Sequence, residues 1–329
     1  MTRRIALWWW PLFVLASPVL IPFLVIKLAI FKNRQAKARQ INQKRMSTAD
    51  KLDLPLLETL ELTPVVEWER KDGFHGAPGV SYLFRTDQGT LLFDVGFGPE
   101  DGVLAHNAKL KGISWDQVDA LVISHLHLDH MGGSKASLKK TVRVPAELGQ
   151  PSTIPCFLPD RCNAPGFRPI QVTQPTLVGA GLGSTGPLAR SLFLMGWCEE
   201  QILMGRLKGK GLVVFTGCGH PGITIILEMV RKISPEPIYA LGGGLHYPVT
   251  ASRLKKPGLE AAMVFGTGKP PWQRITDDDL TDCIHAINRA NPRHVFLSAH
   301  DTCDYSLKRF KNELNANTHV LRAGGVYQL

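Results

Sequence analysis

Several features that define other protein classes are missing from the sequence. The six cysteines are scattered, without a C-x-x-C pair or the compact spacing of a disulfide-stapled domain. Their even number allows three disulfides, but their spacing favours mostly reduced thiols. No glycine-rich phosphate loop follows a predicted strand, and no serine stands in a nucleophile elbow. The sequence therefore gives no support to P-loop nucleotide binding or to Ser-His-Asp catalysis.

Acidic residues are absent from the first 45 positions, although nine of the 38 lysines and arginines lie there. The remaining 29 basic residues nearly balance the 28 acidic residues of the chain. A nucleic-acid-binding protein carries its positive charge on the folded domain. The net charge of +10 thus belongs to the N-terminus, and we expect no nucleic-acid partner.

The N-terminal segment also lacks charge over a long stretch. Residues 5–26 contain no charged side chain in 22 positions, and a helix of about 20 apolar residues crosses the hydrocarbon core of a bilayer. The Trp8–Trp10 triplet is typical of one membrane interface, and Lys27 of the other. The apolar run exceeds the roughly 7 to 15 residues of a signal peptide, although cleavage remains the alternative. We expect a single transmembrane helix that contacts the membrane over residues 5–31.

The flanking charges predict the orientation of this helix. Two arginines precede it, and six lysines and arginines lie between Lys32 and Arg45. This excess of positive charge predicts that the C-terminal side, and with it the main domain, lies in the cytoplasm. We expect a membrane anchor with a basic juxtamembrane segment over residues 1–45, a linker over 46–53, and one folded domain over 54–329.

Beyond residue 54, short apolar strands alternate with helical patterns, which predicts an α/β layered domain. Residues 145–190 are rich in proline and glycine and have no steady period, so we expect a long loop there. We expect residues 145–205 to shape a substrate pocket. The acidic run Asp277–Asp279 follows Thr276, as in a capped helix start, and we assign it to capping rather than to metal binding.

Histidines and an aspartate are concentrated in one short segment directly after a predicted strand. The pattern is His-x-His-x-Asp-His, formed by His125, His127, Asp129 and His130. Neutral imidazole nitrogens and carboxylate oxygens both bind zinc, at about 2.0 to 2.2 Å. Because alternate residues of an extended segment face one way, His125 and His127 can share one ion, while Asp129 and His130 can reach a second. The segment therefore predicts a site for one or two metal ions.

Three further polar residues stand at the ends of predicted strands. His220 ends GLVVFTGCGH, His300 ends HVFLSAH, and Asp94 ends LLFD. Each alone is a weak signal, but together with the cluster they predict one convergent site. Packing is the commoner role for the cysteines beside two of these histidines, Cys218 and Cys303. The other histidines lack ligand spacing and are assigned to surface or structural roles: His75, His106, His285, His294 and His319.

These motifs resemble the metallo-β-lactamase superfamily. The resemblance rests on SHLHLDHMGG, preceded by FDVG and followed by TGCGHPG and SAH, and it spans about residues 55–329. It implies an α/β fold in which a four-layer αβ/βα sandwich carries a one- or two-metal site on its edge. It implies that His125, His127 and His220 hold one metal and that Asp129, His130 and His300 hold or touch the other. It gives Asp94 the role of orienting the ligand loop.

A narrower resemblance covers the second half of the chain. The segment EEQILMGRLKGKGLVVFTGCGHPGI, followed by IYALGGGLHY, is similar to the branch of dihydropterin-methyl-ribofuranosylaminobenzene phosphate synthases and related metal-dependent hydrolases. That branch implies a phosphorylated, ring-bearing substrate only loosely.

One position departs from the superfamily pattern. Most members carry a bridging aspartate at the end of the strand after the His220 helix, where this chain has LGGGLH. The polar residue available is His246, and a neutral imidazole cannot bridge two cations as a carboxylate does. We interpret His246 as a terminal metal ligand, an orienting donor or a general acid. Two divalent ions with Asp129 as the only anionic ligand and one bound hydroxide would give the site a charge of about +2, which favours an anionic group such as a phosphate ester.

The predicted function is hydrolysis of an ester or phosphoester in a small-molecule substrate, phosphorylated or lipid, by a metal-activated hydroxide. Zinc is favoured by the nitrogen-rich ligand set, with manganese or iron as alternatives. We expect Asp129 to orient the nucleophile and accept its proton, and His246 to protonate the leaving group. The open alternatives are a transferase or redox enzyme on the same metal scaffold, a lipid-directed phosphodiesterase, and a non-enzymatic binding protein.

Overall fold

Strands and helices alternate through the chain beyond residue 54, as the sequence predicts. The structure, a computed structural model, describes residues 3–329. The helices are α1 (Trp10–Thr48), α2 (Val103–Lys111), α3 (Leu128–Met131), α4 (Ser134–Lys139), α5 (Ile223–Ile233), α6 (Asp277–Ala290) and α7 (Asp304–Glu313). Shorter helical turns are Leu7–Trp9, Trp115–Gln117, Ala146–Leu148 and the π-helical turn Ala262–Gly266. Residues 1 and 2, which begin the predicted anchor, lie outside the described residues.

Most strands are short. The exceptions are β9 and β10, which form a long antiparallel pair. The first nine are β1 (Leu56–Leu57), β2 (Leu60–Val66), β3 (Ser81–Thr86), β4 (Gly89–Phe93), β5 (Ala120–Val122), β6 (Pro155–Leu158), β7 (Arg168–Gln171), β8 (Thr176–Gly179) and β9 (Leu182–Leu192). The others are β10 (Gly196–Leu207), β11 (Gly211–Thr216), β12 (Ile238–Gly243), β13 (Lys255–Lys256), β14 (Leu259–Glu260), β15 (His294–Leu297), β16 (Asn317–Val320) and β17 (Tyr327–Gln328).

Two mixed sheets contain most of these strands. The first has the order β17-β2-β3-β4-β5-β6-β7, and the second has the order β16-β15-β12-β11-β10-β9-β8, with β1 beside β10. Strands β4 and β5 are parallel in the first sheet, and β11, β12 and β15 are parallel in the second. The carboxyl ends of neighbouring parallel strands meet at one sheet edge, and the loops after them can therefore converge.

Three apolar clusters fill the spaces between the four layers. Large side chains such as Phe84, Phe93 and Phe215 pack between the two sheets. Helices α5, α6 and α7 cover the outer face of the second sheet through residues such as Ile284. Helix α2 and the turns near it cover the outer face of the first sheet through residues such as Trp115. The predicted four-layer αβ/βα sandwich is confirmed.

Helix α1 is long and apolar at its start, and its last turns belong to the folded domain. In the described part of the chain it is the one helix with the length and composition to cross a membrane, a test that a signal sequence near the N-terminus also passes. Phe31 packs edge-on against Phe193, with ring centroids 5.3 Å apart. The Asn42 side chain donates to the Ala189 carbonyl at 2.9 Å and accepts from the Ala189 N–H at 2.7 Å. The helix continues without a break through residues 46–48, where the sequence predicts a linker.

The residues before α1 also contact the domain. Ile5 forms an antiparallel bridge with Leu259 of β14, and the Ala6 N–H donates to the Gly258 carbonyl at 2.8 Å. The apolar part of α1 is thus held at both ends by the same domain, first by the β13–β14 hairpin and then by β9.

The predicted long loop over residues 145–190 is wrong. It contains β6, β7, β8 and most of β9. Strands β7 and β8 are largely exposed, while nearly all of β9 is buried, and neither environment produces an alternating apolar pattern. The predicted capping at Thr276 is confirmed, because its Oγ1 accepts from the Asp279 N–H at 3.2 Å in a capping box.

Candidate metal centre

One group of histidines is assembled from the loops after β5 and β11. The ligand atoms of His125, His127 and His220 all lie within 4.8 Å of one another, and all three residues are buried. Nδ1 of His127 and Nε2 of His220 are 3.0 Å apart. Two ligand atoms bound at about 2.1 Å to one tetrahedral ion are separated by about 3.4 Å. The spacing of these three imidazoles therefore fits a single divalent cation.

A second group lies beside the first. Ligand atoms of Asp129, His130, Cys218 and His300 also lie within 4.8 Å of one another. Nε2 of His130 is 3.6 Å from the Asp129 carboxylate. The sulfur of Cys218 is 3.1 Å from Nε2 of His130 and 3.3 Å from Nε2 of His300. The expectation that Cys218 serves in ordinary packing is therefore wrong, since its thiol lies among the donor atoms.

His246 lies next to both groups in an uncommon backbone conformation. Its φ of 59° falls in the left-handed region, which a histidine adopts rarely. Its ring centroid is 5.2 Å from that of His220. A Cβ on Gly266 would lie 2.5 Å from Nε2 of His246, so only glycine leaves room for this ring. Both ring nitrogens are buried without a hydrogen-bond partner, which fits a ring that binds or faces a cation.

Asp301 is a neighbour of the site that the sequence reasoning missed. Its Oδ2 is 3.6 Å from Nδ1 of His246 and 3.6 Å from Nε2 of His300, and it has no hydrogen-bond partner. Burial opposes ionisation of Asp301, but His300 and His246 outweigh it and lower the pKa of the carboxyl group. The sequence-based expectation that Asp129 is the only anionic side chain at the site is therefore incomplete, because Asp301 lies there as well.

Buried carboxylates orient the histidines from behind. Asp94 has a φ of 63°, and its carboxylate accepts from the Ser124 N–H at 2.6 Å and lies 2.7 Å from Nδ1 of His130. Burial raises the pKa of Asp94 although the His130 ring opposes it. Ser298 Oγ donates to Glu67 Oε2 at 2.5 Å and lies 2.6 Å from Nδ1 of His300. These contacts orient each ring so that its Nε2 faces the second donor group.

Glu200, a residue of β10, shapes the loop that carries His220. Its carboxylate accepts four successive backbone N–H groups, those of residues 217 to 220, at 3.1, 3.0, 2.8 and 2.7 Å. It is fully buried, and burial raises its pKa to about 7 against the opposing effect of these donors. A local sequence pattern does not reveal this role, because the contacts join a residue of β10 to a loop 17 to 20 positions further along the chain.

The protonation states of the histidines suit cation binding. Burial lowers the pKa of His127 and of His300 to about 4, and it lowers the pKa of His125 and His220 well below the usual value. These rings are therefore neutral at pH 7, with a lone pair available. His130 differs, because burial is outweighed by the Asp129 and Asp94 carboxylates, which raise its pKa to about 9. Nε2 of His125 is buried with no partner, which again fits a cation.

Two cavities flank His220 and His246. The larger, of about 470 Å³, has both metal-donor groups at its floor and mostly apolar walls. Those walls are Pro78, Phe97, Leu128, Met195, Leu254, Leu259, Ala261, Ala262 and Phe265, with Lys256 as their cation. The expectation that residues 145–205 shape this cavity is largely wrong, since among them only Met195 lines it and the segment after His246 forms most of the wall.

The smaller cavity, of about 130 Å³, contains a cation without a counter-charge. Arg190 lines it together with His220 and His246. The guanidinium Nε of Arg190 is buried without a partner, and no carboxylate in the described part of the chain pairs with it. The other cation of this cavity, Lys269, is paired with Asp279 at 2.6 Å. Arg190 is thus available to an anion beside the metal centre.

Comparison with known proteins gives matches that agree with this fold and site. Residues 76–147 match the family model described as the metallo-beta-lactamase superfamily. The chain is similar to a solved metal-dependent hydrolase of the beta-lactamase superfamily, Tm1679, with 23% identity, a TM-score of 0.58, and coverage of 82% of this chain and 99% of that one. It is also similar to the metallo-beta-lactamase fold protein YhfI from Bacillus subtilis, with 17% identity, a TM-score of 0.51, and coverage of 83% and 100%. Residues 76–147 therefore match this superfamily, and the solved structures show that the chain has the metallo-β-lactamase fold.

A curated relative points to the branch that the sequence resembles. It is the 7,8-dihydropterin-6-methyl-4-(beta-D-ribofuranosyl)-aminobenzene-5'-phosphate synthase of Methanocaldococcus jannaschii, which is 24% identical over 213 residues covering 53% of this chain and 72% of the relative. The metallo-β-lactamase fold of this chain, with its clusters of His, Asp and Cys side chains, is suited to divalent metal binding. The other histidines lie elsewhere, for example His75, which stacks on His106 at 3.7 Å.

Proposed function

We propose that this protein is a metal-dependent hydrolase that cleaves an ester or phosphoester bond. The observation that carries the proposal is the convergence of two donor groups on the floor of one cavity. Isolated buried histidines are normally satisfied by protein hydrogen bonds, whereas His125 and His246 retain unpartnered ring nitrogens here.

We infer that His125, His127 and His220 hold one divalent ion. Asp129, His130 and His300 hold the second, with His246 beside both. The predominance of nitrogen ligands favours zinc, and manganese or iron are the alternatives. Such an ion supplies, when bound, a Lewis acid and a water whose pKa is lowered to about 7.

The protein side chains complete the chemistry. The Asp129 side chain is 23% exposed at the cavity floor, where it can accept the proton of the attacking water. His246 is 13% exposed and lines both cavities, where it can protonate the leaving group. The apolar walls limit water access and strengthen both electrostatic interactions.

Three features support an anionic amphiphile as substrate. Arg190 offers an unpaired guanidinium in the smaller cavity, and guanidinium binds phosphate or carboxylate well. The larger cavity offers apolar walls to a chain or ring. The helix α1 would keep the cavity close to a bilayer with the domain in the cytoplasm. These features together favour a lipid-directed form of the hydrolase.

Metal analysis of the purified full-length protein in detergent tests the metal-dependent step. We expect up to two divalent ions per chain, hydrolysis of a generic phosphodiester or lactone, and loss of both metal and activity in His125→Ala. The matched control is His285→Ala, on the exposed side of α6, which should keep both. A wild-type protein that binds no divalent metal would overturn the proposal.

A series of esters and phosphodiesters with lengthening acyl chains tests the substrate class. We expect kcat/KM to rise with chain length and Arg190→Met to raise KM for anionic substrates but not for neutral ones. Arg206→Met is the control. The guanidinium of Arg206 lies 3.9 Å from the carboxylate of Glu236, and Arg206 lines neither cavity. Equal effects on anionic and neutral substrates would contradict a role of Arg190 in anion binding.

Transferase chemistry is the second candidate, since the curated relative is a synthase by name. It predicts a metal-loaded protein that hydrolyses none of these substrates and turns over only when an acceptor molecule is added. Assays of the same preparation with and without alcohol or amine acceptors separate the two reactions.

A further inference from the structure

We propose that Asp301 supplies the second carboxylate of the metal centre, in place of the aspartate that most of the superfamily carries at the end of the equivalent of β12. The inference rests on the proposed metal site and assigns a ligand within it. It replaces the sequence-based view that this chain lacks that carboxylate.

The end of β12 has no room for a side chain. A Cβ on Gly244 would contact the Gly217 carbonyl oxygen, and it would lie 2.6 Å from Oδ2 of Asp301 and 2.7 Å from Cε1 of His300. The space that a carboxylate at position 244 would enter is therefore already occupied by the carboxylate of Asp301. The Asp301 carboxylate can lie at this position only because residue 244 is a glycine.

The Asp301 carboxylate is fixed in a manner suited to a ligand. Its Oδ1 accepts a hydrogen bond from Oγ1 of Thr302 at 2.8 Å, which sets the orientation of the group. Its Oδ2 has no hydrogen-bond partner and is buried. A carboxylate oxygen buried without a donor is costly, and a bound cation removes that cost.

The distances from Oδ2 match those between ligands of one ion. Oδ2 is 3.6 Å from Nε2 of His300 and 3.6 Å from Nδ1 of His246. These separations exceed a hydrogen bond but agree with the roughly 3.4 Å between two ligands of a tetrahedral zinc ion. We infer that Asp301 shares the second ion with His300 and that His246 lies at its margin.

Strand topology explains how the exchange preserves the site. Strands β12 and β15 are parallel neighbours, with Gly243 paired to Leu297. A carboxylate from the loop after β15 can therefore reach the position that a side chain after β12 would occupy. A second anionic ligand also lowers the charge of the loaded centre by one unit, so selection of an anionic substrate depends more on Arg190 than on the ions.

Metal binding by Asp301→Asn is the direct test. We expect the wild-type full-length protein to bind two zinc ions and the variant to bind the weaker one with an affinity lower by about 100-fold or more, since even partners that only orient a ligand are worth about 10- to 100-fold. Asp304→Asn, which changes an exposed carboxylate at the start of α7 that is paired with Arg253, should bind zinc like the wild type. Stoichiometry is measured by elemental analysis after dialysis against graded chelator.

Cobalt spectroscopy of Asp301→Cys tests direct ligation in a second variant, so the assignment does not depend on Asp301→Asn alone. A thiolate bound to Co²⁺ gives a charge-transfer band, so this variant should gain thiolate absorption over the wild type, in which Cys218 is already near the site. Asp304→Cys should gain none.

The outcomes separate this inference from the proposed function. Two ions with unchanged affinity in Asp301→Asn, or no added thiolate band in Asp301→Cys, would overturn the role of Asp301 while leaving the metal-dependent hydrolase intact. A wild-type protein without any divalent metal would overturn both. Loss of the second ion in Asp301→Asn, with the first retained, supports the assignment.

Discussion

The Oδ2 atom of Asp94 lies 2.7 Å from Nδ1 of His130, and both side chains are fully buried. Asp94 follows β4 and His130 belongs to the one-turn helix α3, so the contact joins the loops after two parallel strands. An ionised carboxylate at this position keeps one ring proton on Nδ1, so a cation that displaces the second proton of His130 binds at Nε2.

Replacing Asp94 by asparagine should therefore weaken metal binding without removing a ligand. The amide would present a donor to Nδ1, which would move the ring proton to Nε2, the atom needed for the ion. We expect the affinity for the second ion to fall roughly 10- to 100-fold. Zinc competition with a fluorescent chelator measures it, and Asp116→Asn, on the short turn after α2, serves as control. An unchanged affinity would contradict this role.

Glu200→Ala should destabilise the protein and displace His220 together. Four buried N–H groups would lose their acceptor, and each unsatisfied donor costs about 1 to 3 kcal/mol before the loop relaxes. The variant also removes the cost of burying the Glu200 carboxyl group, which offsets part of this loss. We therefore expect the free energy of unfolding to fall by roughly 3 kcal/mol. Denaturant unfolding measures it, and Glu228→Ala, on the exposed face of α5, should change it little.

The Glu67 carboxyl group should make stability depend on pH. Burial raises its pKa from 4.5 to about 7 despite hydrogen bonds from Ser298, Trp68 and Tyr82. A raised pKa means that this contribution to stability is complete below pH 4.5 and is lost as the pH rises through 7. The loss amounts to about 3 kcal/mol, because a tenfold change in an acid dissociation constant corresponds to about 1.4 kcal/mol.

Glu67→Gln isolates this effect because glutamine does not ionise. We expect the variant to gain about 3 kcal/mol of stability relative to the wild type between pH 5 and pH 8. The two metal-free proteins are unfolded in denaturant across that range. A difference that stays constant with pH would show that Glu67 does not titrate as argued.

The contact between Ile5 and Leu259 cannot coexist with a transmembrane α1 and a domain on one side of the bilayer. From Leu7 to Phe31 the helix extends about 36 Å, which exceeds the roughly 30 Å hydrocarbon core. A crossing helix would place residue 5 on the far side from residue 259. We therefore expect Ile5→Cys and Leu259→Cys together to form a disulfide in detergent but not in native membranes. Each single variant is the control, and equal cross-linking in membranes would contradict the single-pass topology.

The donor cluster was predictable because its chemistry is local. His125, His127, Asp129 and His130 lie within six positions, and such spacing restricts the alternatives strongly. The strands and helices around His220 and His300 were also predictable, since parallel buried strands form continuous apolar runs. The structure then brings all of these residues together.

The supporting residues were not predictable, because their roles depend on distant contacts. Glu67 contacts Ser298 across 231 positions, and no pattern around either residue signals that pair. Asp301 gave no signal because its importance follows from the closed space at Gly244, which only a folded chain defines. The cavity wall after His246 was missed for the same reason, since its residues follow no regular strand or helix period.

The two hydrogen bonds between the Asn42 side chain and the Ala189 backbone restrict the movement of the catalytic site relative to the apolar part of α1. Asn42 lies eleven positions after Phe31 in the helix, a rise of about 16 Å. The residue after Ala189 is Arg190, which lines the smaller cavity. A flexible linker between a membrane anchor and a domain would let the domain sample a wide volume around the anchor. With α1 in a bilayer, as proposed above, this packed part of the helix would hold the mouth of the site at a fixed height and tilt, which would direct it to lipids of the adjacent leaflet.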